Sequence, residues 1–164
     1  MFKVALVGHS QVPQTLEVVE NMELDIFRQP GALAKDFFQS EQLTQVLQKR
    51  YHLVILWIGI NDIHAASNVL ELVNTIKIIV EALERTCGAD VRFCLIEPRL
   101  TERQRRFSTP QDTYNKVAKA INTRLQNRYL RGRRFISFGA KPFWGDLARD
   151  GVLFTFVERR KKSM

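Results

Sequence analysis

The chain has 164 residues, of which 45% are hydrophobic and 26% charged, which is the balance of one globular domain with a sizeable core. This composition excludes a membrane-spanning chain, because no apolar run is long enough to cross a bilayer. Two cysteines, Cys87 and Cys94, make neither a disulfide framework nor a metal site. Residues 1–8 are too short for a secretory signal, so we expect an intracellular protein, cytoplasmic or nuclear. We also expect no metal and no cofactor.

Charge is unevenly distributed along the chain. Residues 1–98 carry 8 Lys and Arg against 12 Asp and Glu, whereas residues 99–164 carry 17 against 5. A basic half joined to an acidic half suggests a polyanionic partner, either nucleic acid or an anionic membrane surface. The alternative is a solvated surface that only keeps the protein soluble.

Apolar, β-branched stretches predict five strands, at residues 3–7, 23–27, 53–58, 91–96 and 134–138. The third stretch is continuously apolar, as expected of a central parallel strand that is covered on both faces. Helical patterns lie between the strands, at residues 15–21, 41–50, 65–85 and 110–129. This alternation predicts a three-layer α/β/α sandwich with a mostly parallel five-stranded sheet, over residues 1–157, followed by a basic tail at 158–164.

The helix predicted at 110–129 has the clearest boundary signals. Thr109 can serve as its N-cap, Pro110 suits the first helical position, and Asp112 lies in the first turn. Its inward stripe consists of five residues: Tyr114, Val117, Ala118, Ile121 and Leu125. The positions expected to lie away from that stripe are Lys116, Lys119, Asn122, Thr123 and Gln126.

Small and polar residues follow three of the predicted strands: Gly8-His9-Ser10, Pro30-Gly31-Ala32 and Gly59-Ile60-Asn61-Asp62. Parallel neighbouring strands would bring these loops to one edge of the sheet. A serine at such a junction can be a nucleophile, and an asparagine amide with a glycine N–H can form an oxyanion hole. Taken singly, each residue also has a simpler interpretation, with Ser10 as a helix N-cap and Gly59 and Asn61 as turn residues.

Taken together and in this order, the loops resemble the motif blocks of the SGNH (GDSL-type) hydrolase family. The first block, Gly-Asp-Ser, corresponds to Gly8-His9-Ser10, the second-block glycine to Gly31, and the third block, Gly-x-Asn-Asp, is intact at Gly59-Ile60-Asn61-Asp62. The segments 96–99, 114–115 and 121–122 also resemble the esterase domains of some retrotransposon proteins. The resemblance extends over residues 2–155 and implies a flavodoxin-like strand order.

The resemblance implies roles for individual residues. Ser10 would be the nucleophile, and its amide, the Gly31 amide and the Asn61 side chain would hold the oxyanion. The last family block, Asp-x-x-His, falls on Asp150-Gly151-Val152-Leu153, so the orienting aspartate is present and leucine stands in place of the catalytic histidine. Without a base the serine hydroxyl is a poor nucleophile, and general-base help contributes roughly 10²–10⁴-fold. We therefore expect impaired hydrolysis.

The three histidines of the chain offer few substitutes for that base. His52 precedes a strand and is expected at the opposite end of the sheet, and the side chain of His9 is expected to diverge from Ser10. His64 follows Asn61-Asp62 and could reach the rim of the site as a surrogate base, although a surface or helix-capping role is the simpler interpretation.

Two functions from different classes remain open. The first is a non-enzymatic module on a hydrolase scaffold that binds RNA or single-stranded DNA. Its candidate phosphate-contacting residues are Arg103, Arg105, Arg106, Arg128, Arg131, Arg133 and Arg134. Phe107 and Tyr129 lie among them and could stack on bases, or simply pack in the core. The second is a carboxylic ester hydrolase, weak or dependent on an unusual base, with a lipid or acetyl ester as its ligand. A flavodoxin-like nucleotide binder ranks lower, because Gly8-His9-Ser10-Gln11 lacks the glycine spacing of a phosphate loop.

Overall fold

A computed structural model of the chain describes residues 2–8, 16–18, 21–98, 109–137 and 156–158. Its main sheet has five strands: β1 (Phe2–Gly8), β3 (Met22–Arg28), β4 (Leu53–Trp57), β5 (Asp90–Cys94) and β6 (Phe135–Ile136). The spatial order is β3-β1-β4-β5-β6, and every neighbouring pair is parallel. The five predicted strands and the flavodoxin-like order are confirmed.

The central strands β1 and β4 contribute side chains to both faces of the sheet. Ala5 and Val7 of β1 belong to one buried cluster, and the alternate residues Val4 and Leu6 belong to another. All of these side chains are at most 1% exposed. The continuous apolar runs in the sequence predict this burial on both faces. The fold class is therefore α/β with a buried parallel sheet, in the three-layer arrangement that the sequence predicts.

Five helices occur in the described residues: α1 (Ala34–Phe38), α2 (Glu41–Lys49), α3 (Ile60–His64), α4 (Val69–Cys87) and α5 (Gln111–Arg124). Each contributes buried side chains to the cluster that contains Ala5 and Val7. Local sequence fixes where α4 begins and ends, because the side chain of Asn68 accepts from the Glu71 amide over 3.1 Å and Gly88 ends the helix at φ 65°. No helix in the described part of the chain is long and apolar enough to cross a membrane.

The helix predicted over residues 15–21 is wrong. Leu16–Val18 forms a short strand, β2, which pairs antiparallel with β7 (Phe156–Glu158) at the other end of the chain. Short apolar runs adopt whichever structure their partners stabilise, and here the partner strand supplies the backbone hydrogen bonds. β7 ends at Glu158, the first residue of the segment predicted as a tail.

Two predicted helix boundaries also need correction. The pattern over 65–85 belongs to α4 only from Val69, because the shorter α3 precedes it and residues 65–68 connect the two. Pro110 occupies the N-cap of α5, so Thr109 is not the cap and Pro110 is not the first helical residue. The helical path continues beyond α5 as one π-helical turn, Leu125–Tyr129.

Candidate active site

The carboxyl ends of three strands meet at one edge of the sheet. Gly8, the last residue of β1, is in register with Arg28 of β3 and Trp57 of β4, and its carbonyl accepts the Gln29 amide over 2.8 Å. The loops that follow β3 and β4 therefore begin at the same edge of the sheet, on either side of β1, as predicted for parallel strands. The predicted nucleophile Ser10 lies outside the described residues, as do Asp150 and Leu153.

Gly31 lies in a tight turn after β3. The Ala32 amide donates to the Gln29 carbonyl over 3.2 Å, and Gly31 has φ +77°, the value that the third position of a type II turn requires. The Gly31 N–H takes no part in the hydrogen bond that closes this turn. A Cβ at this position would meet nothing within 4 Å, so the described residues leave space beside the glycine.

Asn61 lies in α3, directly after β4, and reaches across to the same turn. Its side-chain Nδ2 donates to the Ala32 carbonyl over 3.0 Å. An amide nitrogen carries two hydrogens, so one remains to donate to another acceptor. The structure thus places the Asn61 side chain beside the turn that contains Gly31, and we call the Gly31-Ala32 turn with the Asn61 side chain the Gly31–Asn61 site.

Asp62 forms a second connection between the same two segments. Its carboxylate accepts the amide of Ala34, the first residue of α1, at 3.1 Å through Oδ2 and 3.4 Å through Oδ1, and the residue is only 4% exposed. Burial raises the pKa of Asp62 to about 6, although hydrogen bonds from the Ala34 and Asp62 amides and from the Ser67 side chain act in the opposite direction. The sequence motif contains this aspartate, but it does not predict the hydrogen bond to the start of α1.

Ile96 and Asn122 fix the other side of the β4 loop. Asn122 in α5 accepts the Ile96 amide through Oδ1 at 3.0 Å and donates through Nδ2 to the Ile96 carbonyl at 2.8 Å. The prediction that Asn122 points away from the inward face is therefore wrong. Gly59 has φ +111°, and a Cβ there would lie 3.1 Å from Ile96 Cδ1, so the loop after β4 requires glycine both for its backbone and for space.

The histidines are placed as follows. His64 is half-buried in the last turn of α3, where its Nδ1 lies 3.3 Å from Thr109 Oγ1 and its ring lies 5.4 Å from that of Tyr114. His52 precedes β4 at the opposite end of the sheet, as predicted, and its Nδ1 accepts the Lys3 amide over 2.9 Å. His9 lies outside the described residues.

Four of the seven predicted phosphate-contacting arginines lie in the described residues. Arg133 donates to both carboxylate oxygens of Glu84, at 2.9 and 3.2 Å, so its charge is already compensated. Arg128, Arg131 and Arg134 are exposed, and the Arg128 guanidinium lies 5.9 Å from the centre of the Tyr129 ring. Arg103, Arg105, Arg106 and Phe107 lie outside the described residues. Within the described part of the chain, no group of His, Cys, Asp and Glu side chains could hold a metal ion.

Comparison with solved structures identifies the fold. A lipolytic protein of the G-D-S-L family from Veillonella parvula superposes with a TM-score of 0.62 at 14% identity, over 85% of this chain and 79% of that one. A carbohydrate esterase of family 3 from Talaromyces cellulolyticus gives 0.62 at 14%, over 85% and 80%, and an extracellular lipase from Streptomyces rimosus gives 0.62 at 13%, over 85% and 81%. No family model and no curated protein matches the sequence. The chain has the fold of the SGNH (GDSL-type) hydrolases, as the motif order predicts.

Proposed function

We propose that the Gly31–Asn61 site binds acyl esters and that Ser10 hydrolyses them slowly. The observation that carries this proposal is the hydrogen bond from Asn61 Nδ2 to the Ala32 carbonyl, because it holds a donor beside the Gly31 turn before any ligand binds. Donors that are already in place stabilise a developing oxyanion without reorganisation. Proteins described as a lipase and as esterases share the fold, which agrees with an ester as ligand.

In this proposal the Ser10 oxygen attacks the ester carbonyl carbon, and the carbonyl oxygen becomes an oxyanion. The Asn61 amide and the backbone amides of Ser10 and Gly31 hold that oxyanion. The serine proton passes to water, or to His64 if that residue serves as the base, and is returned to the alcohol that the tetrahedral intermediate expels. Water then hydrolyses the acyl-serine, which restores the Ser10 hydroxyl and releases the carboxylic acid. Leu153, where the family motif has histidine, cannot take the serine proton, and this accounts for slow turnover.

The test is hydrolysis of p-nitrophenyl acetate by the full chain. We expect slow turnover that disappears in Ser10→Ala and falls roughly 10²–10³-fold in Asn61→Ala, the loss typical of one oxyanion-hole donor. Leu153→His should raise the rate by about 10² or more if Asp150 can orient the new imidazole. Asn127→Ala, on the exposed π-helical turn, is the matched control and should leave the rate unchanged. Equal rates in wild type and Ser10→Ala would exclude the proposal.

His64 is the proposed surrogate base, and the same assay tests it. A His64→Gln variant keeps a polar side chain beside Thr109 but cannot act as a base near neutral pH. If His64 supplies the base, its loss should reduce the rate as much as Ser10→Ala does. If the rate is unchanged, the residual turnover arises from the oxyanion site and water alone.

A second function is favoured by a separate observation, the exposed cations of α5 and the turn that follows it. We propose that this surface binds single-stranded RNA or DNA, in line with the resemblance to retrotransposon esterase domains. The exposed cations of α5 and the π-helical turn are Lys116, Lys119, Arg124 and Arg128, and Arg131 and Arg134 follow in the connection to β6. Fluorescence anisotropy with a labelled oligonucleotide at increasing salt is the test, with anionic vesicles as the second arm. Binding that is absent at low salt, or that does not change with salt, would exclude this function.

A further inference from the structure

The two loops of the Gly31–Asn61 site are joined by two hydrogen bonds that run between the same segments. Asn61 donates to the carbonyl of Ala32, and the next residue, Asp62, accepts the amide of Ala34. Asn61 and Asp62, which are adjacent in α3, thus bond to the first carbonyl and the last amide of the stretch at residues 32–34. Both bonds therefore connect α3 to the same short stretch of backbone.

We propose that Asp62 is a positioning residue of the Gly31–Asn61 site, and that protonation of its carboxylate loosens the start of α1 and moves the Gly31 turn relative to the Asn61 amide. The inference rests on the proposed function only for what the site binds. It assigns to this site a response to pH in which the group that titrates does not itself contact the ligand.

The physical reason is the difference between charged and neutral acceptors. Hydrogen bonds to an ionised carboxylate are roughly twice as strong as those to a neutral group. Asp62 is 4% exposed, so water offers the Ala34 amide little replacement when that bond weakens. The buried carboxylate also has a pKa raised to about 6, because burial disfavours its charge, so the change falls in mildly acidic solution.

Few other charges act on Asp62 among the described residues. Asp36, on α1, raises its pKa further by repulsion, and it also accepts the Leu33 amide over 2.9 Å. His64, on α3, has its Nδ1 beside Thr109 of the α5 side. Ser67, between α3 and α4, hydrogen-bonds to the carboxylate and carries no charge. Two carboxylates therefore bond to amides of residues 32–34: Asp36 holds the Leu33 amide in an exposed position, and Asp62 holds the Ala34 amide in a buried one.

The experiment is a pH titration of the full chain by ¹⁵N–¹H NMR, without any ligand. The signals to follow are the Asn61 side-chain amide and the backbone amides of Gly31 and Ala34, over roughly two pH units on either side of the midpoint. In wild type all three should move together with a midpoint of about 6. In Asp62→Asn, which keeps an acceptor oxygen but cannot titrate, these movements should be lost while the rest of the spectrum stays folded.

Asp36→Asn is the matched control, since it makes the same change at the exposed carboxylate that accepts the neighbouring Leu33 amide. The three signals should still titrate in this variant, with a midpoint below the wild-type value because the repulsion is removed. The inference is overturned if the Asn61 and Gly31 signals do not move in wild type, or move equally in Asp62→Asn. If they titrate as expected while Ser10→Ala leaves ester turnover unchanged, the proposed function fails and the coupling stands. If these signals do not titrate while Ser10→Ala abolishes ester turnover, the coupling fails and the proposed function stands.

Discussion

Asn122 holds the backbone of Ile96 at both its amide and its carbonyl, at 3.0 and 2.8 Å. Ile96 follows the end of β5, and in the described part of the sheet no strand pairs with it. The Asn122 side chain therefore satisfies both of its backbone groups. Ile96 in turn lies against Gly59, at the start of the loop that carries Asn61. Asn122 therefore supports, through Ile96, the loop that begins at Gly59 and carries Asn61.

Replacing Asn122 by alanine should destabilise the protein by about 2–4 kcal/mol, because it leaves a backbone N–H and a C=O unpaired in a segment that is otherwise buried. Unfolding in urea, followed by circular dichroism, measures the change. Asn127→Ala, at an exposed position of the π-helical turn, should change the free energy of unfolding by less than about 0.5 kcal/mol. Equal stabilities of the two variants would contradict the role given to Asn122.

Gly59 and Gly88 allow a prediction that compares two positive-φ glycines, of which Gly59 is the more demanding both in its backbone, at φ +111° against +65°, and in the space around it. Both have positive φ, but a Cβ at Gly59 would come within 3.1 Å of Ile96, whereas one at Gly88 would meet nothing within 4 Å. Gly88→Ala should therefore cost only the left-handed conformation, about 1 kcal/mol. Gly59→Ala should cost more, on the order of 2–4 kcal/mol, from strain and overpacking together. Urea unfolding of the pair measures the difference, and a Gly59→Ala cost no larger than that of Gly88→Ala would show that Ile96 gives way.

The sheet and the loops of the site can be predicted from the sequence because their signals are local. Continuous apolar runs such as that of β4 identify buried strands, and parallel strands bring their carboxyl ends together whatever the side chains are. Gly31 and Asn61 are expected together for that reason. Their actual placement depends on the hydrogen bonds of Asn61 and Asp62 to Ala32 and Ala34, which no local pattern encodes.

Two of the incorrect predictions, those for residues 15–21 and for Asn122, involve contacts between distant segments. β2 has three residues, and its pairing partner lies at the other end of the chain, as the register Leu16↔Glu158 shows. The polarity of Asn122 predicts an outward position, although this residue lies four residues after the buried Ala118, which puts it at the border of the inward stripe. That spacing is the signal that the sequence offers. Polar side chains that bond to the backbone of another element cannot be distinguished in sequence from solvated ones.

The ion pair between Arg133 and Glu84 predicts which arginine substitutions weaken oligonucleotide binding most. Arg131→Gln and Arg134→Gln each remove an exposed charge, so each should weaken oligonucleotide binding and reduce the salt slope by about 0.7 for each single-strand phosphate that the variant no longer neutralises. Arg133→Gln should have a smaller effect on binding, because Glu84 already compensates that charge. Anisotropy at several salt concentrations measures the slopes. A larger effect of Arg133→Gln than of Arg131→Gln would mean that nucleic acid displaces Glu84.

The burial of Asp62 also affects how the free energy of unfolding depends on pH. Burial raises the pKa of Asp62 to about 6 from its ordinary value of 3.8. Between these values the folded chain binds more protons than the unfolded chain, so this group lowers the free energy of unfolding as pH rises from about 4 to about 6. Above that window the cost is complete and constant. At about 1.4 kcal/mol per unit, it amounts to on the order of 2–3 kcal/mol at neutral pH.

Asp62→Asn should remove this contribution, because asparagine does not titrate but still offers an oxygen to the Ala34 amide. The stability of the variant relative to wild type should therefore rise by about 2 kcal/mol between pH 4 and pH 7, and then stay level. Urea unfolding at several pH values measures the difference. Asn127→Ala, at an exposed position of the π-helical turn, changes no titratable group, so it is the control and should follow the wild-type curve. Parallel curves for wild type and Asp62→Asn would show that the carboxylate remains ionised in the folded protein throughout the window, with the hydrogen bond from Ala34 outweighing burial.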